Sequence, residues 1–255
     1  MSIIFSPIYG LPLIKDNDNL GSIIIDAINE SKINLQNGDI IVVTQKIISK
    51  AEGRLVNLND VSPGHNALKY AKITQKDPRL VELILSESKS VIRATQGVFI
   101  VEHKNGFICA NAGIDHSNVE GKYGDNDDWY LLLPENPDKS AEDLRMSIET
   151  YFGIRIGLLI IDSHGRPWRR GTVGVSIGIS GFSPIIDYRG KEDIFGFELK
   201  VTEIGAADEL AAGASLAMGQ ADERIPVVHV RGYPYNLGCG NSSENYRNSS
   251  EDLFR

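Results

Sequence analysis

The stretch IGLLIIDSHGRPWRRG (residues 156–171) opens with an apolar run that ends at Asp162. A short apolar run bounded by polar residues is typical of a fully buried strand. A second run, DIIVVT (Asp39–Thr44), follows the turn-forming pair Asn37-Gly38 and has the same β-branched character. Ligands of α/β folds commonly bind at the sheet edge where strands end, so we expect Asp162 to project into a site.

Helix and turn signals surround these two strands. Caps, apolar residues at helical spacing and terminal glycines predict helices at 20–28 after Asp18 or Asn19, at 78–88 after Asp77, at 140–152 with a capping box at Ser140–Asp143 and a stop at Gly153, and at 206–218. Further strands are predicted at 98–102 and 107–110, joined by a turn at Asn105-Gly106, and at 226–230. The chain therefore mixes helices with strands, without internal repeats.

The composition excludes several classes of protein. The chain has 255 residues, of which 42% are hydrophobic and 24% charged, and this rules out a disordered, collagen-like or coiled-coil protein. A net charge of −8, from 26 basic and 34 acidic residues, argues against a nucleic-acid partner. Its two cysteines, Cys109 and Cys239, form no CxxC motif, so neither a disulfide scaffold nor a structural zinc site is predicted.

The chain is expected to be cytoplasmic and to have no membrane partner. Its start does not resemble a signal peptide, and no uncharged apolar run approaches the roughly 18 residues that span a bilayer. The length allows one large domain or two small ones. The weakest internal boundary lies in residues 119–139, which are polar and rich in turn formers but form no clean linker.

Two aspartates are candidate metal ligands. Asp162 and the adjacent hydroxyl of Ser163 supply two oxygen atoms, the donors that a hard divalent cation prefers. Asp115 lies in NAGIDHSN (residues 111–118), where short oxygen-bearing side chains cluster. Each aspartate also fits a purely structural role, because aspartates frequently cap helices and form turns. From the residues alone both interpretations remain open.

A set of basic residues is the third candidate. RPWRRG follows Asp162-Ser163 directly, so cations would lie near the candidate metal site, and a bound polyphosphate would explain them in an acidic protein. A solvated surface patch is the alternative. The set comprises Lys46, Lys50, Arg54, Arg166, Arg169 and Arg170. The glycines between 171 and 181 match neither the P-loop nor the Rossmann fingerprint, and they favour close backbone packing or a tight bend instead.

Taken together, these segments resemble those of a known family, the coenzyme F420:L-glutamate ligases. The matching stretches are GLPLIKDND, GDIIVVTQKIISKAEGR, CANAGIDHSNVE, LLLPENPDKSAEDLR, IIDSHGRPWRRGTVGVSIGISG, DYRGKEDIFGFELKVTEIGAADELAAGASLAMGQADERIPVVHVRG and the final DLFR. They occur in this order from residue 10 to residue 255, so the resemblance covers essentially the whole chain. The chain resembles the ligase unit alone (residues 1–255), without the C-terminal flavin-reductase-like domain that some bacterial members carry.

The resemblance implies an unusual α+β fold with mixed sheets and packed helices, assembled as an intertwined homodimer. It also implies a site for GTP and two divalent cations, Mg or Mn, and leaves a requirement for K⁺ open. Asp115 and Asp162 correspond to ligands of one metal, and Ser163 and Gln220 to ligands of the second. Asp115, Asp162 and Lys50 are the implied catalytic residues. The implied nucleotide contacts are Leu11, Pro12, Leu13, Ile14, Gln45, Lys46, Lys50, Asn118, Met218, Gly219, Gln220, Ala221, Asp222, Glu223, Arg224 and Ile225.

The implied reaction is GTP-dependent addition of L-glutamate to the lactyl carboxylate of coenzyme F420-0 through an acyl phosphate, releasing GDP and phosphate. Ser163 stands where the family often has threonine, and Gln45 and Lys46 stand where some members have small hydroxylated residues. Alternatives are a GTP-dependent carboxylate–amine ligase acting on another anionic acid, a non-catalytic nucleotide-binding subunit and a metal-dependent phosphatase. The number and linkage of the added glutamates stay open.

Overall fold

The structure, a computed structural model, describes residues 2–121 and 128–254 and combines helices with several β-sheets. The helices are α1 (Leu20–Glu30), α2 (Gln45–Ala51), α3 (His65–Thr74), α4 (Pro78–Ser86), α5 (Pro137–Phe152) and α6 (Ala206–Met218). The strands are β1 (Ile4–Ile8), β2 (Ile40–Thr44), β3 (Leu55–Asn57), β4 (Ser88–Thr95), β5 (Val98–His103), β6 (Ile108–Ala110), β7 (Trp129–Leu131), β8 (Gly157–Arg166), β9 (Arg169–Ser180), β10 (Ile186–Asp187), β11 (Glu203–Ile204) and β12 (Val227–Arg231). The expected α+β class is confirmed.

A five-stranded sheet in the order β1-β12-β2-β8-β9 forms the centre of the molecule. Its middle pair, β2 and β8, is parallel, whereas the other neighbouring pairs are antiparallel. In the parallel pair Thr44 lies opposite Ile161. The pairing of the two strands therefore stops at the same end of the sheet, and Gln45 and Asp162 are the next residues.

The two central strands are buried because both faces of the sheet are covered. Ile41 and Ile160 belong to an apolar cluster that includes residues of α1, α2 and α5. Val42 and Leu159, which are sequence neighbours of Ile41 and Ile160 and point to the opposite face, belong to a second cluster that includes residues of α6. Near-continuous apolar runs are what strands covered on both faces require. The predictions for β2 and β12 are therefore confirmed to within one residue.

The prediction that Asp162 ends its strand is wrong. Strand β8 continues to Arg166, because residues 162–166 pair with β9 alone after the pairing with β2 has ended at Ile161. The carboxylate nevertheless lies where the five-stranded sheet gives way to a two-stranded hairpin. Its place at the edge of the sheet is therefore set by the end of β2 and not by the end of β8.

Most predicted helix ends are confirmed, and two are corrected. The helix predicted at 78–88 ends at Ser86, because Ser88 already pairs in β4. Asn19 and Asp77 cap α1 and α4, and Gly153 ends α5 in a left-handed conformation. The predicted capping box at Ser140–Asp143 is wrong, because α5 starts three residues earlier at Pro137. Asn136 accepts a hydrogen bond from the amide of Lys139 at 3.1 Å, and proline suits the first helical position.

A smaller sheet, β4-β5-β6, packs with α3 and α4 around its own apolar cluster, which includes Phe99 and Val101. The hairpin predicted around Asn105-Gly106 is confirmed, since β5 and β6 pair antiparallel on either side of that turn. Strand β7 pairs with β3 and lies inside the predicted boundary at 119–139. Residues 122–127 of that boundary lie outside the described residues, so the division of the chain there stays a prediction.

A hairpin arm, residues 186–204, extends from the rest of the chain. It begins and ends with the paired strands β10 and β11, and backbone hydrogen bonds continue beyond them, such as that from the amide of Leu199 to the carbonyl of Lys191 at 2.8 Å. Apolar side chains of the arm are open to solvent: Ile194 and Phe195 at its turn and Val201 nearer its base are 91%, 88% and 84% exposed. In the described part of the chain, no helix is both long enough and apolar enough to span a bilayer.

An ion pair lies at the start of β2, at the opposite end of this strand from Gln45. Asp39 accepts hydrogen bonds from Arg231 Nη2 at 2.7 Å and Nε at 3.0 Å, and His229 Nε2 lies 2.8 Å from its Oδ2 atom. Burial opposes the charge of Asp39, but the hydrogen bonds outweigh it and lower the pKa of this carboxyl to about 2. The carboxylate thus ties β12 to the start of β2.

Two glycines of β9 allow the sheet to contact helices α5 and α6 closely, as their pattern predicted. A Cβ atom at Gly178 would lie 2.5 Å from the carbonyl oxygen of Pro137, and one at Gly174 would collide with the carbonyl oxygen of Ala211. Each neighbour is backbone, which yields less readily than the end of a flexible side chain.

We therefore expect Gly178→Ala to lower the free energy of unfolding by roughly 1–3 kcal/mol, the usual cost of overpacking a core. Gly165→Ala is the matched control, because Gly165 lies in the neighbouring strand β8 and has open space around its Cβ position. Its effect should stay within roughly 0.5 kcal/mol. Urea unfolding followed by circular dichroism measures both values, and equal destabilisation by the two substitutions would contradict the close contact.

Candidate active site

Helix α2 and strand β8 bring the first site residues together. Gln45 starts α2 directly after β2, and Asp162 follows Ile161 at the same edge of the sheet. Gln45 is fully buried and accepts a hydrogen bond from Ser49 Oγ through its Oε1 atom at 3.0 Å. Its amide nitrogen is thereby turned toward Asp115, to which it donates at 2.5 Å.

Asp115 is held in place by its backbone. It exchanges two hydrogen bonds with Leu131 of β7, at 2.9 and 2.8 Å. The segment before it, Asn111–Gly113, forms a short 3-10 turn in which all three residues have positive φ, from 51° to 64°. Consecutive left-handed residues are costly, so the surrounding packing must maintain this turn. The NAGID segment therefore presents the Asp115 side chain to α2.

Lys46 is the charged partner of Asp115. Its Nζ atom lies 2.5 Å from Asp115 Oδ2, the same oxygen that accepts from Gln45. Burial raises the pKa of Asp115, and the charge of Asp162 raises it further, while Lys46 and Gln45 oppose this rise. The two candidate aspartates are therefore close enough to repel each other.

Asp162 has a different partner. His164 Nε2 lies 3.0 Å from Asp162 Oδ2. Burial opposes the charge of Asp162, but the hydrogen bond and the charge of His164 outweigh it, so the pKa of this carboxyl lies below its ordinary value. Lys46 contributes in the same direction. Lys46 is thus an electrostatic neighbour of both aspartates.

The predicted pair Ser163 and Gln220 is brought together, although 57 residues separate the two in sequence. Ser163 Oγ donates to Gln220 Oε1 at 2.9 Å, and Gln220 Nε2 donates to Ser215 Oγ at 3.0 Å. Sequence reasoning missed Ser215, which lies on α6 near its C-terminal end. The sequence feature that could have indicated Ser215 is its polar side chain within a helix otherwise rich in Ala and Gly.

Three of the predicted nucleotide-contacting segments meet beside this pair. Lys50 Nζ donates to the carbonyl of Asn118 at 2.9 Å, and Asn118 Nδ2 donates to the carbonyl of Ala221 at 3.1 Å. Burial, together with the charge of Lys46, lowers the pKa of Lys50. Helix α2, the loop at 115–118 and the loop after α6 are therefore joined by direct hydrogen bonds.

The loop after α6, residues 218–225, is folded upon itself. Gly219 ends the helix at φ 75°, and the Glu223 carboxylate fills the space beside it and accepts from the amide of Ala221 at 2.8 Å. These backbone hydrogen bonds lower the pKa of Glu223. Residues 220–224 are exposed, whereas Met218 is buried and Ile225 packs against the cluster that includes α6.

Two predicted sets are not joined to this cluster. Leu11 and Ile14 pack against the core, and Pro12 and Leu13 are exposed; within the described residues no hydrogen bond links 11–14 to the other site residues. Arg54 pairs with Glu87 at 2.6 Å. The remaining arginines, at 166, 169 and 170, lie toward the turn of the β8–β9 hairpin. Their predicted role in charge balance stays a prediction.

The donor set suits a hard divalent cation. Two carboxylates, a hydroxyl and an amide oxygen come from Asp115, Asp162, Ser163 and Gln220, and such oxygen ligands are those that Mg²⁺ and Mn²⁺ prefer. Asn111 Oδ1, in the same loop as Asp115, is buried and has no hydrogen-bond partner in the described part of the chain. Among residues 2–121 and 128–254, no cluster of three His, Cys, Asp or Glu side chains offers a competing site.

Two mostly buried carboxylates flanked by lysines suit the binding of anionic groups, and comparison with known sequences gives the class of protein. The sequence model described as F420-0:Gamma-glutamyl ligase matches residues 10–232. The chain belongs to this family of ligases.

Relatives of known function match the chain over nearly its whole length. The coenzyme F420:L-glutamate ligase of Methanothermobacter thermautotrophicus is 45% identical over 92% of this chain and 91% of its own length. The enzyme of the same name from Methanocaldococcus jannaschii is 42% identical, over 96% and 94%. That from Archaeoglobus fulgidus is also 42% identical, over 98% and 95%.

The geometry predicts unequal reactivity of the two thiols. Cys109 is buried, and burial together with the charge of Asp162 raises its pKa to about 12, whereas Cys239 is exposed. At pH 8 we expect Ellman's reagent to label one thiol rapidly and the second only after denaturation. Cys239→Ser should abolish the rapid phase. Two rapidly reacting thiols in the folded protein would contradict the burial of Cys109 beside Asp162.

Proposed function

We propose that this protein joins L-glutamate to coenzyme F420-0 at the expense of GTP, in the cytoplasm. Membership of the ligase family and the names of the relatives support the reaction. The observation that carries the proposal is the cluster of Asp115, Asp162, Lys46 and Lys50, which places two carboxylates next to two cations. Such a cluster is suited to two reactants that both carry negative charge.

The nucleotide is proposed to bind across α2 and the two loops joined to it. Lys50 and Lys46 border the segment at Asn118 and supply positive charge for the phosphates. Exposed backbone in the loop after α6 offers polar contacts. The full set of proposed contacts is Leu11–Ile14, Gln45, Lys46, Lys50, Asn118 and Met218–Ile225.

Two divalent cations, Mg²⁺ or Mn²⁺, are proposed to share the site. Asp115 and Asp162 would hold one cation, and Ser163 and Gln220 would hold the other. The side-chain oxygen atoms of Ser163 and Gln220 already lie 2.9 Å apart. When bound, the cations screen the repulsion between the phosphates and the substrate carboxylate. Gln220 is a neutral ligand, so the second position carries less protein charge than the first.

The chemistry needs activation because a carboxylate is anionic and has no good leaving group. In the proposed reaction the carboxylate oxygen attacks the γ-phosphorus of GTP, and GDP leaves. The glutamate amine then attacks the acyl carbon, an amide bond forms, the carbon–oxygen bond to phosphate breaks, and the amine proton is released. Lys50 is proposed to contact the transferred phosphoryl group, where a fixed positive charge stabilises the charge that develops.

We expect mass spectrometry to show addition of at least one glutamyl residue when the protein is incubated with coenzyme F420-0, GTP, Mn²⁺ and L-glutamate. ATP in place of GTP should give no product. GDP formation without a mass shift would indicate a different acceptor acid, or a phosphatase if release of phosphate needs no glutamate. Nucleotide binding without turnover would indicate a non-catalytic subunit.

Asp162→Asn is the informative variant for this assay. It removes a charge but keeps the shape and one acceptor oxygen for His164, so the fold should persist by circular dichroism. Product formation should fall at least about a hundredfold, because the substitution removes charge stabilisation at the reacting groups. Wild-type turnover of the variant at limiting Mn²⁺ would refute the assignment of Asp162.

We also propose that two chains form a homodimer through the hairpin arm, residues 186–204. The family resemblance first suggested an intertwined dimer, and the exposed side chains of Ile194, Phe195 and Val201 support it. Large apolar side chains exposed together on one element commonly mark an interface between proteins. The arm also has its own backbone pairing, which preserves its shape where it projects.

Light scattering after size exclusion should give twice the chain mass of 28.0 kDa for the wild type. Replacing Ile194 and Phe195 together with serine should give the mass of one chain. Met146→Ser is the control, since this residue is also exposed but lies on α5, outside the arm. A wild-type monomer would refute the dimer, and a dimeric double variant would show that the arm does not form its interface.

A further inference from the structure

One carboxylate oxygen of Asp115 already has two strong donors. Gln45 Nε2 and Lys46 Nζ each lie 2.5 Å from Asp115 Oδ2. The lysine ammonium is thus placed against the oxygen that is proposed to bind a divalent cation. The Asp115 and Lys46 side chains are each about three-quarters buried, at 26% and 24% exposed, so water screens this pair only partly.

An ammonium group and a divalent cation cannot both remain at this oxygen. Two donors already lie 2.5 Å from Oδ2, and the two positive charges would repel each other at short range in a partly dehydrated site. The amide of Gln45 is neutral and does not add to this repulsion. Lys46 is therefore the group that must leave when a metal arrives at this oxygen.

A second hydrogen-bond acceptor lies near the Lys46 ammonium. The Nζ atom of Lys46 lies 3.3 Å from the carbonyl of Ser117, one residue before Asn118 in the proposed nucleotide site. A lysine side chain carries a compact charge on a flexible stem of four carbons, so the ammonium can change partner without movement of the helix. Bound phosphates would offer it an anion to replace Asp115.

We propose that Lys46 is an internal counter-cation that occupies the metal position of Asp115 until nucleotide binds. In the nucleotide-free protein the ammonium neutralises Asp115 and competes with the metal. Phosphates draw the ammonium away and free the oxygen, so nucleotide and metal strengthen each other's binding. This inference rests on the proposed metal and nucleotide sites and adds the order in which they fill.

Lys50 provides the internal comparison. It lies one helical turn after Lys46, and its ammonium donates to the carbonyl of Asn118. The contacts described for it include no hydrogen bond to either aspartate. Removing Lys50 therefore deletes a positive charge from the same region without releasing an oxygen of Asp115.

The test is Mn²⁺ binding followed by electron paramagnetic resonance, first without nucleotide and then with a non-hydrolysable GTP analogue. Without nucleotide, Lys46→Met should bind Mn²⁺ about tenfold more tightly than the wild type, whereas Lys50→Met should change the affinity less than about threefold. The analogue should tighten Mn²⁺ binding strongly in the wild type and much less in Lys46→Met. Lys46→Gln should behave like Lys46→Met, because charge and not hydrogen bonding drives the competition.

The outcomes separate this inference from the proposed function. If the wild type binds Mn²⁺, and Lys46→Met and Lys46→Gln bind it with the same affinity, the competition is overturned but the metal site is preserved. Equal tightening in Lys46→Met and Lys50→Met would show a general effect of charge and would also overturn it. No Mn²⁺ binding by any folded protein, with or without the analogue, would refute the metal site and the competition together.

Discussion

The parallel pairing of β2 and β8 is the constraint on which the candidate site depends. Because the two strands run in the same direction and stop pairing at Thr44 and Ile161, the residues that follow lie at the same end of the sheet. Helix α2 starts there on one side, and Asp162 and Ser163 follow on the other. A register shift of one residue would turn Asp162 toward the opposite face of the sheet. The buried ion pair of Asp39 and Arg231 ties down the other end of β2.

The site combines opposite charges in an acidic protein. The whole chain carries −8, yet the described neighbours of Asp115 and Asp162 include Lys46 and His164. The surface as a whole thus does not attract anionic substrates, and attraction must come from a local arrangement of cations. Since Lys46 is an electrostatic neighbour of both aspartates, its position affects the charge balance of the entire cluster.

Local sequence signals predicted several elements and missed others, among them α2, α3 and β9, and the errors have both long-range and local causes. The strand β2, the caps at Asn19 and Asp77 and the turn at Asn105-Gly106 each depend on a few neighbouring residues. The continuation of β8 beyond Asp162 depends on pairing with β9, which no local pattern of residues 162–166 reveals. The start of α5 was misplaced because Ser140 and Asn136 both offer a capping side chain, and Pro137 favours the earlier one.

The same distinction applies to the site. The residue types indicated Asp115, Asp162 and Ser163, and similarity to a family supported them and added Gln220, but their contacts arise from folding. Asp115 meets Gln45 across 70 residues of sequence, and its backbone is held by Leu131. The role of Ser215 as the partner of Gln220 required knowledge of where α6 ends. The residue types therefore indicated the kind of site, but they did not indicate which side chains contact each other.

The burial of Cys109 has a consequence for the choice of metal. Soft ions such as Cu⁺ and Zn²⁺ favour a thiolate, and a sulfur ligand close to Asp162 would attract them. With a pKa raised to about 12, this thiol remains protonated at neutral pH and behaves as a small apolar side chain. What keeps Cys109 away from a metal proposed to bind at Asp162 is therefore its burial in the core, and the solvent-facing donors there are oxygen atoms.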